Sequence, residues 1–366
     1  MTDDTKTYPE LKHIFDRARL EKFADDTKAA WPDLDRQRFL DIAMADLDEL
    51  GIMQRMRQVA AAWDATLPAN YGAALDILRA VAPTIQSGFA SISLCEFVVL
   101  RGPQDFDLSM AALRDFTGYG SAEFAIRPFI QAEPARTLAV MRSWADDDNE
   151  HVRRLASEGA RPRLPWSFQL KDIQADPSLA WPILDRMKAD PSLYVRKSVA
   201  NHLNDVSKDH PAWLVGQLAG WDQTLPGTAW IVKQALRTLV KAGDPGALAL
   251  VGVSGKAMCR VESFAVSPAE VVLGDRITIS ANVVSTATAR QKIVADYAIH
   301  YVKSGGKTSR KVFKLKTFEL APGETAELSI SQTIRNFSTR KHFAGWHRVE
   351  LMLNGETLGE AGFEVT

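Results

Sequence analysis

The densest group of chemically able side chains lies in residues 144–167, WADDDNEHVRRLASEGARPRLPWS. A helix opening near Asn149 puts Arg154 and Glu158 four residues apart, on one face. Gly159 is a natural stop for it. In the loop that follows, Pro162 and Pro165 stiffen the chain around Arg161, Arg163 and Trp166. A carboxylate beside fixed guanidiniums and an indole could act on a charged substrate. The same residues also read as a solvated helix face with an ion pair that adds little, and a tryptophan packed on the core. Upstream, Glu123 follows the turn Gly118-Tyr119-Gly120 and opens the apolar run FAIRPFI. It is either a second functional carboxylate or a cap favoured by the helix dipole. Asp205 ends VRKSVANHLND and could likewise serve a site or cap the segment SKDHPAWL.

These residues need elements to hold them. Before residue 250 apolar side chains recur at helical spacing, as in 39–63 and 71–83, and prolines and glycines cut the runs into short helices. No convincing alternating strand occurs there. VRRLASE (152–158), VRKSVAN (195–201) and VKQALRT (232–238) align with Arg153, Arg196 and Lys233 in register. Their spacing is near the roughly 40-residue period of HEAT-type repeats, in which stacked helix pairs share a continuous core. Asp-x-x-x-x-Val-Arg occurs at two of the three starts. Beyond about residue 257 the pattern changes to alternating, β-branched stretches: 277–285, 296–303, 311–320, 326–334 and 347–354. Turn signals separate them at Ser304-Gly305-Gly306, Ala321-Pro322-Gly323 and Asn354-Gly355. The expected architecture is multidomain: an all-α HEAT-like repeat superhelix over residues 1–250, then an all-β immunoglobulin-like sandwich over 257–366. The stretch 241–256 reads as a helix end and a linker.

Composition excludes whole classes. The 366 residues are 46% hydrophobic and 24% charged, which is globular rather than disordered, collagenous or rod-like. With 44 basic against 45 acidic residues, net charge points to no partner, and affinity for nucleic acid must come from local patches. Cys95 and Cys259 form no ligand pair, and the expectation is two thiols in a reducing cytoplasm. The acidic, polar start lacks a signal-peptide pattern, and no stretch is long and apolar enough to span a membrane. His151, His300, His342 and His347 lack partners at metal-ligand spacing, and neither a Walker loop nor GxGxxG is present. No metal, no nucleotide cofactor and no membrane partner are expected.

HVRRLASEGARPRLPW, with SAEFAIRPFI upstream and VRKSVANHLNDVSKDHP downstream, resembles the bacterial AlkC-type alkylpurine DNA glycosylases. The resemblance covers about residues 70–366 and is most specific over 151–166. Many members of that family carry an immunoglobulin-like domain after the repeats. It implies base-excision repair: hydrolysis of the N-glycosidic bond of a cationic N3-alkylated base in duplex DNA, 3-methyladenine or 3-methylcytosine. A cationic base is already a good leaving group. The enzyme must therefore oppose the positive charge that grows on the sugar and orient a water, and carboxylates suit both tasks. By this resemblance Glu123 and Glu158 are the carboxylates at the lesion, with Asp205 a further site acid. Trp166 lies against the damaged nucleotide, and Arg154 contacts the DNA backbone or holds the carboxylates. Arg153, Arg161, Arg163, Arg196 and Lys233 become candidate phosphate ligands, for which the planar guanidinium fork is well shaped. A monomer acting at cytoplasmic DNA is the simplest form.

The second domain adds an electrostatic sign. Between residues 290 and 316 stand eight basic residues, Lys303, Lys307, Arg310 and Lys311 among them, against Asp296 as the one acid. Residues 1–50 carry thirteen acids and eight bases, an unlikely DNA surface. The basic hairpin is either a phosphate-binding surface or an edge guarded by lysines against aggregation. Two other readings compete with the enzyme: a protein-binding scaffold, and a repeat protein that binds DNA without catalysis.

Overall fold

The computed structural model describes residues 11–253, 255–336 and 341–366. It divides into two compact units: residues 11–209 with 225–231, and residues 210–224 with 232–366.

The described residues of the first unit are helical, and side-chain caps start its key elements. Asn149 Oδ1 accepts the His151 N–H at 2.9 Å and opens Glu150–Gly159. Ser192 does the same for Tyr194 at the head of Leu193–Val206. Val152, Leu155 and Ala156 on one helix and Val195, Val199 and Leu203 on the other are buried, so the aligned valines are core residues, as the repeat spacing requires. The repeat is also visible in polar detail. Arg153 Nη1 donates to the carbonyls of Asp147 and Asp148, and Arg196 Nη1 donates to those of Asp190 and Pro191. Each arginine thus ties down the turn before its own helix. Aspartates then join successive layers: Arg79 pairs with Asp115, Arg114 with Asp147, and Arg153 with Asp190.

Gly159 sets how closely the site-bearing helix approaches its neighbour. A Cβ there would stand 2.4 Å from Ile126 Cγ2, in the helix Ile126–Ala132. Only glycine lets the end of Glu150–Gly159 settle beside the segment that carries Glu123.

Among its described residues the second unit has eight strands: β1 (Cys259–Ser267), β2 (Glu270–Val271), β3 (Arg276–Ser285), β4 (Gln291–Val302), β5 (Thr308–Leu320), β6 (Thr325–Thr333), β7 (Gly345–Leu353) and β8 (Glu356–Val365). They form a three-stranded sheet, β1-β3-β6, and a five-stranded sheet, β2-β8-β7-β4-β5. All pairings are antiparallel except β2 with β8. Ile277, Ile279, Tyr297, Ile299, Tyr301, Val349 and Phe363 form the main part of the core between the sheets. Asn354 and Gly355, both at positive φ, make the tight β7–β8 turn expected of an Asn-Gly pair.

The expectation of a helix end and a linker over 241–256 is corrected by the structure. Arg237–Ala242 does end at Gly243, but a further helix, Pro245–Leu250, follows. Leu248, Val253 and Val294 are buried together, so this stretch covers the outer face of β4. Gly243 lies against Gly355, and a Cβ on Gly355 would stand 2.1 Å from the Gly243 Cα. Two backbones meet there with no room for a side chain.

Candidate active site

A cavity of about 470 Å³ opens in the helical unit. Glu123, Glu158, Arg154, Arg161 and Trp166 all line it, although 43 residues separate the first from the last. Gly88, Gly120 and Tyr119 line it as well.

Its polar floor is a chain of alternating charge. Arg154 Nη1 donates to Glu123 and, at 2.6 Å, to Ser121 Oγ. Ser121 Oγ in turn donates to Glu123 Oε2 at 2.8 Å. The other end of the Arg154 guanidinium stands 3.5 Å from Glu158 Oε1. Arg161 Nη1 donates to that same oxygen at 2.6 Å, and Arg161 Nε to Asp205 Oδ2 at 2.8 Å. Lys208 closes the series on Asp205 at 2.9 Å. Glu158 and Asp205 are only 5% and 3% exposed, so these ion pairs work in a far less screened setting than a surface pair. Truncating one member would strand a buried charge.

Arg154 is fixed from below as well. Its guanidinium sits 5.3 Å over the Tyr194 ring, which meets His151 edge-on. Burial raises the Tyr194 phenol above its ordinary range, so it stays protonated.

Trp166 stands at the rim. It is 62% exposed and adopts the left-handed backbone region, with φ 65°. A bulky residue there is strained, and such strain is kept where neighbours force it. Arg127 supplies the force. This fully buried side chain donates from Nη1 to the carbonyls of Gly159 (2.9 Å) and Arg161 (2.7 Å), and from Nη2 to that of Phe168. It therefore clamps both ends of the loop that carries Trp166. Burial, and then the neighbouring Arg161, lower its pKa to about 10, so it remains charged at neutral pH. Across the cavity mouth, Phe89 meets Trp166 edge to face at 6.1 Å.

The residues expected from sequence fall into three groups. Glu123, Glu158, Asp205, Arg154 and Arg161 share one ion-pair network, and Trp166 faces the same cavity. Arg153, Arg161 and Arg196, expected as phosphate ligands, each make hydrogen bonds within the protein, with Arg161 buried and the other two partly buried. Arg153 makes a two-pronged pair with buried Asp190, Arg161 bridges two buried carboxylates, and Arg196 caps backbone carbonyls. Arg163 is outside the cavity, paired in two-pronged fashion with Asp209 at 3.0 and 2.7 Å. The third group lies in the strand unit. Lys233 is exposed there, Lys303 and Lys307 flank the β4–β5 turn, Arg310 donates to Glu350 at 2.9 Å, and Lys311 lies over Phe313.

Sequence reasoning did not single out Arg127, Ser121, Tyr194 or Phe89. An arginine between isoleucine and Pro128-Phe129, in a run this apolar, was the available signal for Arg127. Among the described residues no three His, Cys, Asp or Glu side chains are grouped so as to hold a metal, and no helix is long and apolar enough to cross a membrane.

The chain also has relatives among known proteins. A family model described as "DNA alkylation repair enzyme" matches residues 102–239, which contain the whole cavity floor. A second, the C-terminal Ig-like domain of the uncharacterised protein YhaZ, matches residues 260–366. The chain is 38% identical over 357 residues to the uncharacterized protein YhaZ of Bacillus subtilis (strain 168), covering 97% of this chain and 99% of the relative. Among solved structures it is similar to Pseudomonas fluorescens alkylpurine DNA glycosylase AlkC bound to DNA containing an abasic site analog. That similarity has 52% identity, a TM-score of 0.95, and coverage of 98% of this chain and 100% of the other.

Proposed function

The chain belongs to the AlkC family of alkylpurine DNA glycosylases, and from that premise we propose that it excises cationic N3-alkylated bases from duplex DNA. It is an enzyme of base-excision repair, and its substrates on this reading are 3-methyladenine and 3-methylcytosine. The observation that carries the proposal is the arrangement of Glu123 and Glu158, joined by one guanidinium, on the floor of an open cavity rimmed by Trp166.

Each residue then has a task. The alkylated base leaves as a neutral molecule, so no strong acid is needed at the leaving group. The positive charge passes to the sugar, and carboxylates fixed in advance oppose it without the cost of reorienting water. Glu158 and Glu123 take this part, and one of them accepts a proton from the attacking water. Arg154 shares its charge between them and keeps two like charges within one cavity. Asp205 acts through Arg161, which it holds against Glu158. Trp166 offers an exposed π face to the damaged nucleotide. The helical unit carries the chemistry, and the β4–β5 hairpin with Lys303 and Lys307 engages the duplex. The protein acts as a monomer.

Release of free base from methylated duplex DNA tests this. Glu158→Gln should lower single-turnover excision at least about tenfold, or roughly 1.4 kcal/mol of barrier, with the fold retained. Full excision by that variant would remove Glu158 from the mechanism.

A further inference from the structure

The strand unit holds a second cavity, far from the first in sequence. It has a volume of about 250 Å³ and lies between the helical stretch 233–251 and the outer face of β4 and β5. Five cations line it: Lys233, Arg237, Lys241, Lys292 and Lys314. The lining holds a single carboxylate, Asp296. In sequence these cations are spread from residue 233 to residue 314, and only the packing of the helices on the sheet brings them together.

Three features make this more than a lysine-rich surface. First, two of the cations are held by backbone carbonyls. Lys292 Nζ donates to the Val251 carbonyl at 2.7 Å, and Lys241 Nζ reaches that of Val312 at 3.4 Å. A neutral carbonyl fixes an ammonium without cancelling its charge and leaves it two further donors. Second, the walls between the cations are apolar, from Val240, Val251 and Val294, which weakens screening and concentrates the field in the cleft. Third, the one acid is outnumbered: buried Asp296 brings a single negative charge against five cations. The cleft thus gathers positive charge at a cost that a compact anion with several acceptor oxygens would offset.

We propose that this cleft binds a phosphate group. Two sources share that chemistry: a backbone phosphate of duplex DNA, or a free phosphate compound. The first rests on the duplex-binding reading above, and the second does not.

The test uses the full chain and the variant Lys292→Met/Lys314→Met, which keeps the aliphatic stems, with Lys314→Met alone as a control that spares the Val251 bond. One arm measures affinity for an undamaged duplex from about 50 to 200 mM salt, where each phosphate no longer neutralised by the protein lowers the slope of log K against log salt by about 0.9. The other follows thermal stabilisation by inorganic phosphate and pyrophosphate. A slope smaller by the equivalent of about one phosphate in the double variant, and by part of that in Lys314→Met, supports a backbone phosphate. Stabilisation of the wild type that both variants lack, with an unchanged slope, supports a free one. Variants matching the wild type in both arms would overturn the proposal. Neither arm contains an alkylated base, so a failure of the glycosylase reading would show only in the excision assay.

Discussion

At the scale of single residues, some side chains touch the cavity and others only hold those that do. Trp166 touches it, and with 62% of its surface exposed it adds little to the core. Stacking on a base is worth about 1–3 kcal/mol, so Trp166→Ala should reduce excision about fivefold to about 150-fold. Its melting temperature should stay within a few degrees of the wild type. A variant that lost stability but kept full excision would make Trp166 a structural residue. Arg161 does both, lining the cavity and holding Glu158. In sequence it is legible only as a basic residue in a stiff loop, and such a residue reads as a phosphate ligand. What sequence does not show is that Glu158 and Asp205 enclose it. Arg153 and Arg196 teach the same lesson. Their recurrence is visible, but the reason for it, a bond back to the preceding turn, is local geometry that a spacing does not encode.

At the scale of elements, helix Leu193–Val206 supports helix Glu150–Gly159 through His202, whose Nδ1 lies 3.0 Å from the Ser157 carbonyl. That bond makes Nδ1 the donor, and burial favours the neutral ring. Burial lowers the His202 pKa to about 4, from 6.5 in the unfolded chain. The unfolded state therefore binds more protons between those values, and stability falls as pH drops through that window. At pH 5 the loss should be about 2 kcal/mol relative to pH 7, at about 1.36 kcal/mol per unit. Chemical denaturation should show this decline flattened in His202→Gln, and an equal decline in that variant would clear His202 of the effect. Strand legibility follows packing. The stretches read for β3, β5, β6 and β7 end within three residues of the observed strands. β4 reads from residue 296 but starts at Gln291, because Ile293 and Ala295 face the core while Val294 is covered by the 245–253 segment. A strand buried on both sides loses its alternation. β1 and β8 escape the pattern. The register of β1 shifts between Val261 and Ser263, which breaks its alternation. In β8, Gly359 and Gly362 make room for Phe264 and Trp346, and neither adds an apolar side chain to a pattern.

At the scale of the whole molecule, the order of helical repeats and then a sandwich is clear from the change of periodicity. The assembly of the cavity is less so. The two carboxylates that line it come from separate segments, and Gly159 and Arg127, which bring those two segments together, look ordinary in sequence. The strand unit's part in function is electrostatic on this reading. Lys303→Ala/Lys307→Ala should reduce the salt dependence of duplex binding by the equivalent of about two phosphates, with β4 and β5 intact. An unchanged slope would leave the hairpin lysines the bland role of guarding a sheet edge.

The central claim is that paired carboxylates perform the excision. The most direct test compares wild type with Glu123→Gln/Glu158→Gln for release of free methylated base from methylated duplex DNA, alongside duplex binding by the same two proteins. The expected result is release by the wild type and its loss in the double variant, which still binds DNA. Undiminished release by the folded double variant would contradict the claim.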